Sequence, residues 1–177
     1  KNHPCILIWS LCNECGAGSC FVQMRRRTLE LDDTRPIHYE PDTRFESTDF
    51  FSQMYATVGK VKRIGAGQPV RLSRCSYGPL ALLGRPASVR RYGGRPYLLC
   101  EYAHCMGNSL GNFADYWELF RRYDRLIGGF VWDFADQALQ KEGRWCYGGD
   151  FGDEPNDGPF AFNGIFRADR SPNPALF

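Results

Sequence analysis

Two glutamates stand at the ends of apolar runs, Leu11-Cys12-Asn13-Glu14 and Leu98-Leu99-Cys100-Glu101, and a third run ends in Trp132-Asp133. Two carboxylates facing one pocket suit glycoside hydrolysis. One carboxyl protonates the leaving oxygen while the other attacks the sugar or activates water. A retaining pair lies ~5–5.5 Å apart and an inverting pair ~6.5–9.5 Å, a choice that sequence spacing does not make. The neighbours fit a sugar. Asn13 can donate to a hydroxyl, Tyr102 and His104 follow Glu101, and Trp132 offers an apolar plate. A single glutamate at a strand end serves equally well as a helix cap or an ion-pair partner. Two such sites with polar and aromatic neighbours favour chemistry.

These residues need strands that deliver them to one face. Cys5 to Leu11 is continuously apolar, as in a parallel strand buried on both faces. Phe21 to Leu31 is expected to be helical, with Arg25, Arg26 and Arg27 exposed. Ile37-His38-Tyr39, Phe50 to Val58, Tyr97 to Cys100 and Gly129 to Trp132 are further strand candidates. Gly107 to Asp124 reads as a helix capped by Asn108 or Ser109, with Leu110, Phe113, Trp117 and Phe120 along one face. Strands alternating with helices predict an α/β fold with parallel strands. In a (β/α)8 barrel the reactive face is the C-terminal end of the strands, where both glutamates would sit.

The chain has 177 residues, 22 Lys+Arg and 20 Asp+Glu. Its 43% hydrophobic content excludes a disordered tail, and no apolar run reaches the ~18 residues a membrane helix needs. Nine of the basic residues and no acid fall between Lys60 and Pro96. That stretch also holds six Gly and four Pro, so a solvated connecting loop is expected rather than a nucleic-acid patch. Cys12-x2-Cys15 with Cys20 resembles half a zinc site, but no second Cys-x2-Cys pair exists. Cys12 and Cys100 are read instead as small buried hydrophobes, and no disulfide framework is expected. With no signal-peptide pattern at the start, the expected location is cytoplasmic. The chain opens on Lys1 and runs directly into a strand, which suggests a piece of a longer protein.

The motifs resemble a known family. Leu99-Cys100-Glu101-Tyr102-Ala103-His104-Cys105-Met106-Gly107-Asn108-Ser109 is similar to the nucleophile segment of the large bacterial β-galactosidases of glycoside hydrolase family 2. Asn2-His3-Pro4 through Asn13-Glu14 resembles their acid/base segment. There the family has Gly and Ser where this chain has Cys12 and Cys15. Gly129 to Asp133, Tyr147 to Asp153, Pro155-Asn156-Asp157 and Ala168 to Pro172 also match.

The resemblance implies a partial TIM barrel over residues 1–177, strands four to eight, with the 60–96 loop inside it. It implies Glu101 as nucleophile and Glu14 as general acid and then base. Tyr55 would sit beside the nucleophile. Asn13 and His104 would hold sugar hydroxyls, and Trp132 would floor the sugar site. Glu14 would also ligate Mg2+, while the Phe160 carbonyl and Asn163 would hold a Na+ that touches the substrate. The implied partner is a small β-galactoside, with no nucleic acid or membrane, and the full-length parent is expected to be a homo-oligomer. Further metal ligands, three strands and the flanking domains would precede or follow this piece. Alone it is expected to be inactive. Another family 2 activity, β-glucuronidase or β-mannosidase, or an inactive remnant, stands as the alternative.

Overall fold

The computed structural model describes residues 1–72, 85–87, 89–107 and 109–177. Parallel strands and the helices between them dominate it. β1 (Trp9–Ser10) pairs in parallel with β2 (Ile37–His38), and α1 (Ser19–Leu31) joins them. β3 (Phe51–Met54), then β6 (Tyr97–Tyr102), then β7 (Leu126–Val131) form a three-stranded parallel sheet. Between β3 and β6 the chain forms α2 (Val58–Gly65), β4 (Val70–Leu72), β5 (Arg85–Ala87) and α3 (Val89–Tyr92). α4 (Phe113–Arg122) connects β6 to β7, and an outlying hairpin of β8 (Leu139–Lys141) and β9 (Arg144–Cys146) follows.

Asp49 ties the two sheets together. Its backbone N–H donates to the Ile37 carbonyl at 2.8 Å, and its carboxylate accepts from the Ile37 N–H at 2.7 Å. Arg25 of α1 holds the same carboxylate at 2.6 Å. Beyond β7, the Ile165 and Phe166 N–H groups donate to the Asp133 and Phe134 carbonyls, so residues 165–166 run beside the end of β7. The described residues form no closed barrel.

The core lies where α2 and α4 cover the β3–β6–β7 sheet. Thr57 caps α2 by accepting from the Lys60 N–H, and Val61 and Ile64 from one face are fully buried. Tyr97 and Leu99 of β6 are also fully buried. Complete burial of one such aliphatic side chain contributes about 2 kcal/mol. Tyr102 stacks on Phe113 and meets Tyr116 and Phe120 edge-on, which locks α4 to the sheet.

Several expectations are corrected here. The run from Cys5 is strand only at Trp9–Ser10, and Leu7 is 74% exposed. β1 pairs only with β2 among the described residues. α4 begins at Phe113, because Leu110 and Asn112 adopt left-handed backbone. Ser109 donates to the His104 and Met106 carbonyls instead of capping the helix. Asn108 lies outside the described residues. The packed face of α4 carries Phe113, Tyr116, Leu119 and Phe120, whereas Trp117 is 42% exposed. The basic stretch 60–96 is not one loop, since most of α2 and all of β4, β5 and α3 fall within it. Residues 73–84 and 88 of that stretch lie outside the description. No helix among the described residues is long and apolar enough to cross a membrane.

Candidate active site

Glu101 is the second-last residue of β6 and pairs with Met54 of β3 just after a bulge at Cys100, where Gln53 faces Leu99 and Met54 faces Glu101. A left-handed backbone at Tyr55 (φ 51°) turns the chain after β3 so that the Tyr55 side chain reaches β6. Such a φ costs a non-glycine residue about 1–2 kcal/mol. Two bonds to the same residue offset that cost. The Tyr55 N–H donates to the Glu101 carbonyl at 2.8 Å, and the Tyr55 hydroxyl donates to Glu101 Oε2, also at 2.8 Å. A hydrogen bond to an ionised acceptor is worth about 1.5–3 kcal/mol. It orients one carboxylate oxygen and leaves the other open.

Glu101 lines a cavity of about 670 Å3 together with Asn13, Trp132, Cys12, Glu40 and His38. This volume is within the usual range for a small-molecule site. His38 is buried there between Ser10 Oγ at 3.0 Å and Ser52 Oγ at 2.8 Å, and burial lowers its pKa to about 4. The imidazole is therefore neutral near pH 7. The Cys100 thiol is pushed well up, first by burial and then by Glu40 and Glu101, so it stays protonated.

Trp132 also walls a second cavity of about 610 Å3, which Asn163, Phe160 and Asn156 line. The Asn163 carbonyl accepts from the Cys105 and Asp133 N–H groups and so joins the segments that follow β6 and β7. Gly164 permits this closeness, because a Cβ there would lie 2.3 Å from the Ala135 carbonyl carbon. His104 sits centrally among these groups. Its ring meets Tyr55 and Phe160 edge-on, and its Nε2 is 3.4 Å from Asn163 Nδ2.

The structure thus brings together Glu101, Tyr55, His104, Asn163 and Phe160 through direct contacts, with Trp132 and Asn13 on the shared cavity walls. Glu14 follows Asn13 as an exposed residue with left-handed backbone, φ 50°. The expectation that Cys12 is a buried free thiol is corrected, since a disulfide joins it to Cys15 across Glu14. Sequence reasoning also missed Glu40 and the role of His38. Glu40 follows β2 as Glu14 follows β1, and that repeat of a carboxylate after a strand was the available signal.

The metals can be tested against these residues. Asn163 Oδ1 is buried and accepts no hydrogen bond, which suits a hard cation or a sugar hydroxyl. No group of three or more His, Cys, Asp or Glu side chains among the described residues could hold a metal. Glu14 is therefore not joined by two further side chains of these kinds among the described residues.

Comparison with known proteins identifies the scaffold. The chain is 46% identical over 184 residues to a protein named Beta-galactosidase from Klebsiella pneumoniae, covering 99% of this chain and 16% of that protein. A Beta-galactosidase from Yersinia enterocolitica is 43% identical over 183 residues, covering 100% of this chain and 16% of the relative. The chain therefore spans about one sixth of the length of these relatives. Among solved structures, a Bacteroides uniformis beta-glucuronidase superposes with a TM-score of 0.54 at 15% identity, over 97% of this chain and 23% of that one. That likeness concerns the fold alone. The sequence profile of the glycosyl hydrolases family 2 TIM barrel domain matches residues 1–177. This chain belongs to that family and forms part of its α/β catalytic barrel.

Proposed function

We propose that the chain is the part of a retaining β-galactosidase that carries both catalytic carboxylates, and that it supplies barrel strands four to eight. The observation that carries this reading is the hydrogen bond from Tyr55 to Glu101 on the wall of the cavity that Asn13 and Trp132 share. Glu101 attacks the anomeric carbon of a terminal β-galactoside and forms a covalent galactosyl-enzyme. The Tyr55 hydroxyl keeps one oxygen occupied while the other attacks, and it stabilises the carboxylate as the sugar later leaves. Glu14 protonates the leaving oxygen and then takes a proton from water. Asn13 and His104 hold sugar hydroxyls. Trp132 lies beneath the C–H face of the ring.

Two cations complete the reading. Asn163 Oδ1 and the Phe160 carbonyl would hold Na+, and Glu14 would give one oxygen to Mg2+, whose remaining ligands come from outside these residues. Both would supply fixed positive charge beside the sugar. The partner is a small β-galactoside, with no nucleic acid or membrane involved. The full-length protein works as a cytoplasmic homo-oligomer, and the isolated 177 residues do not turn over substrate.

Replacing Glu101 by Gln in the full-length protein tests the assignment. Turnover of an aryl β-galactoside should fall by at least about 10^4-fold, the loss of a covalent nucleophile. Activity within tenfold of the parent sinks the reading. Chromogenic galactosides, glucuronides and mannosides tried side by side identify the sugar.

A further inference from the structure

The proposed chemistry makes no use of the cysteine pair that brackets Glu14. Cys12 and Cys15 form a disulfide with two residues between them and Cα atoms 6.2 Å apart. Natural disulfides span Cα separations of ~4.4–6.8 Å, so this backbone suits the bond. Both sulfurs gather around the Asn13 carbonyl oxygen, at 3.8 Å and 3.0 Å. Cys12 is half-buried on the wall of the central cavity, while Cys15 is exposed. The ring they close contains only Asn13 and Glu14, and within it Glu14 adopts left-handed backbone. The other cavity thiol, Cys100, is free and lies within β6.

We propose that Cys12 and Cys15 are a reversible modification site for small-molecule disulfides, and that their oxidation state sets the position of Glu14. The inference rests on Glu14 being the acid/base residue. In the oxidised form the ring confines Glu14 to its exposed, left-handed conformation. Reduction returns the torsions of residues 12–15, so Glu14 can turn toward the cavity that Asn13 lines. The oxidised protein is therefore the slow form.

The exchange balances. The Cys15 thiolate attacks one sulfur of a disulfide RSSR. A Cys15–SR bond forms, the RS–SR bond breaks, and RS− leaves to take up a proton. The Cys12 thiolate then attacks Cys15 Sγ and expels the second RS−. Two protein thiols lose two electrons, and one RSSR becomes two RSH.

The test uses the full-length protein in buffers of reduced and oxidised glutathione, with dithiothreitol to reverse the reaction. Alkylation and mass mapping of the peptide that spans Cys12 and Cys15 should show, in oxidising buffer, a species that takes up no alkyl group and is about 2 Da lighter than the unalkylated dithiol peptide. Turnover of an alkyl β-galactoside, which needs the acid, should fall at least about tenfold. A dinitrophenyl β-galactoside should slow less, because its leaving group needs no proton. Dithiothreitol should restore both rates, and Cys15→Ser should respond to neither buffer. The proposal is overturned if no cross-link forms between these two cysteines, or if it forms and alkyl galactoside turnover is unchanged. If no galactoside is hydrolysed in either state, the proposed function fails, and amide exchange at Asn13 to Cys15 then decides. Slower exchange in the cross-linked form supports the site, and equal exchange overturns it.

Discussion

In the proposed reaction Glu101 and Glu14 act together, but they are held in opposite ways. Glu101 lies within a six-residue strand paired on both sides, and Tyr55 bonds both its backbone and its carboxylate. Glu14 lies beyond a two-residue strand paired on one side, exposed, in a four-residue ring closed by a disulfide. The contrast fits the two tasks. A nucleophile must meet one carbon along one line, so a rigid sheet with a fixed hydrogen bond suits it. The acid/base must deliver a proton to the leaving group and later take one from water, so a short loop suits it. The comparison also teaches where control can enter. A loop residue can be repositioned by a local bond, whereas a strand residue moves only if the sheet does.

After Glu101→Gln, the largest expected effect falls on the loop side. Glu14→Gln in the full-length protein should slow alkyl β-galactosides by up to about 10^4-fold, the upper range for general acid catalysis. Dinitrophenyl galactosides should lose much less in the first step. Equal losses for both substrates would remove the distinction between the two glutamates.

Next comes the pH dependence of stability on the sheet side. Burial holds His38 at about 4 in the folded protein, below its ordinary 6.5. Between those values the unfolded chain binds a proton that the folded chain refuses. The stabilisation is therefore complete above pH 6.5 and is lost as pH falls toward 4. It amounts to roughly 3 kcal/mol at most. Urea unfolding of the full-length protein across this window should show the decline. His38→Gln should flatten it, and an unchanged slope would mean that His38 is already solvated.

Tyr55→Phe keeps the ring but removes the bond to Glu101. The expected loss in kcat is about 10- to 100-fold, matching a charge-assisted hydrogen bond, with little change in KM. A loss in KM alone would show that Tyr55 positions the sugar rather than the nucleophile. The smallest effect is structural. A Cβ at Gly129 would lie 2.7 Å from the Leu99 carbonyl oxygen, in the strand beside the one that carries Glu101. Gly129→Ala should lower the unfolding free energy by about 1–3 kcal/mol through overpacking, and it should lower kcat only if the sheet carries the strain to Glu101.

Much of the fold was legible because burial leaves periodic marks. The strand expected at Tyr97–Cys100 is observed as Tyr97–Tyr102, that expected at Gly129–Trp132 as Leu126–Val131, and the helix expected at Phe21–Leu31 as Ser19–Leu31. The helix after Glu101 was misplaced at its start, because left-handed residues at Leu110 and Asn112 interrupt a pattern that composition alone continues. The basic stretch hid α2, since Lys60, Lys62 and Arg63 dominate its charge while Val61 and Ile64 are the buried residues of its inner face.

By itself the sequence determined which residue types follow the strands: Asn13-Glu14, Glu101, His104 and Trp132 are local facts of spacing. It also determined the family through the motifs within residues 2–14, 99–109 and 129–172, and the family profile matches residues 1–177. Only the tertiary structure decided which of these groups meet. Tyr55 and Glu101 are 46 residues apart, and His104 and Asn163 are 59 apart, so only strand pairing and chain crossings join them. The bond between Cys12 and Cys15 also waited on structure, although the two are close in sequence. Whether two thiols can join depends on backbone torsions between them, and residue identity does not specify those torsions.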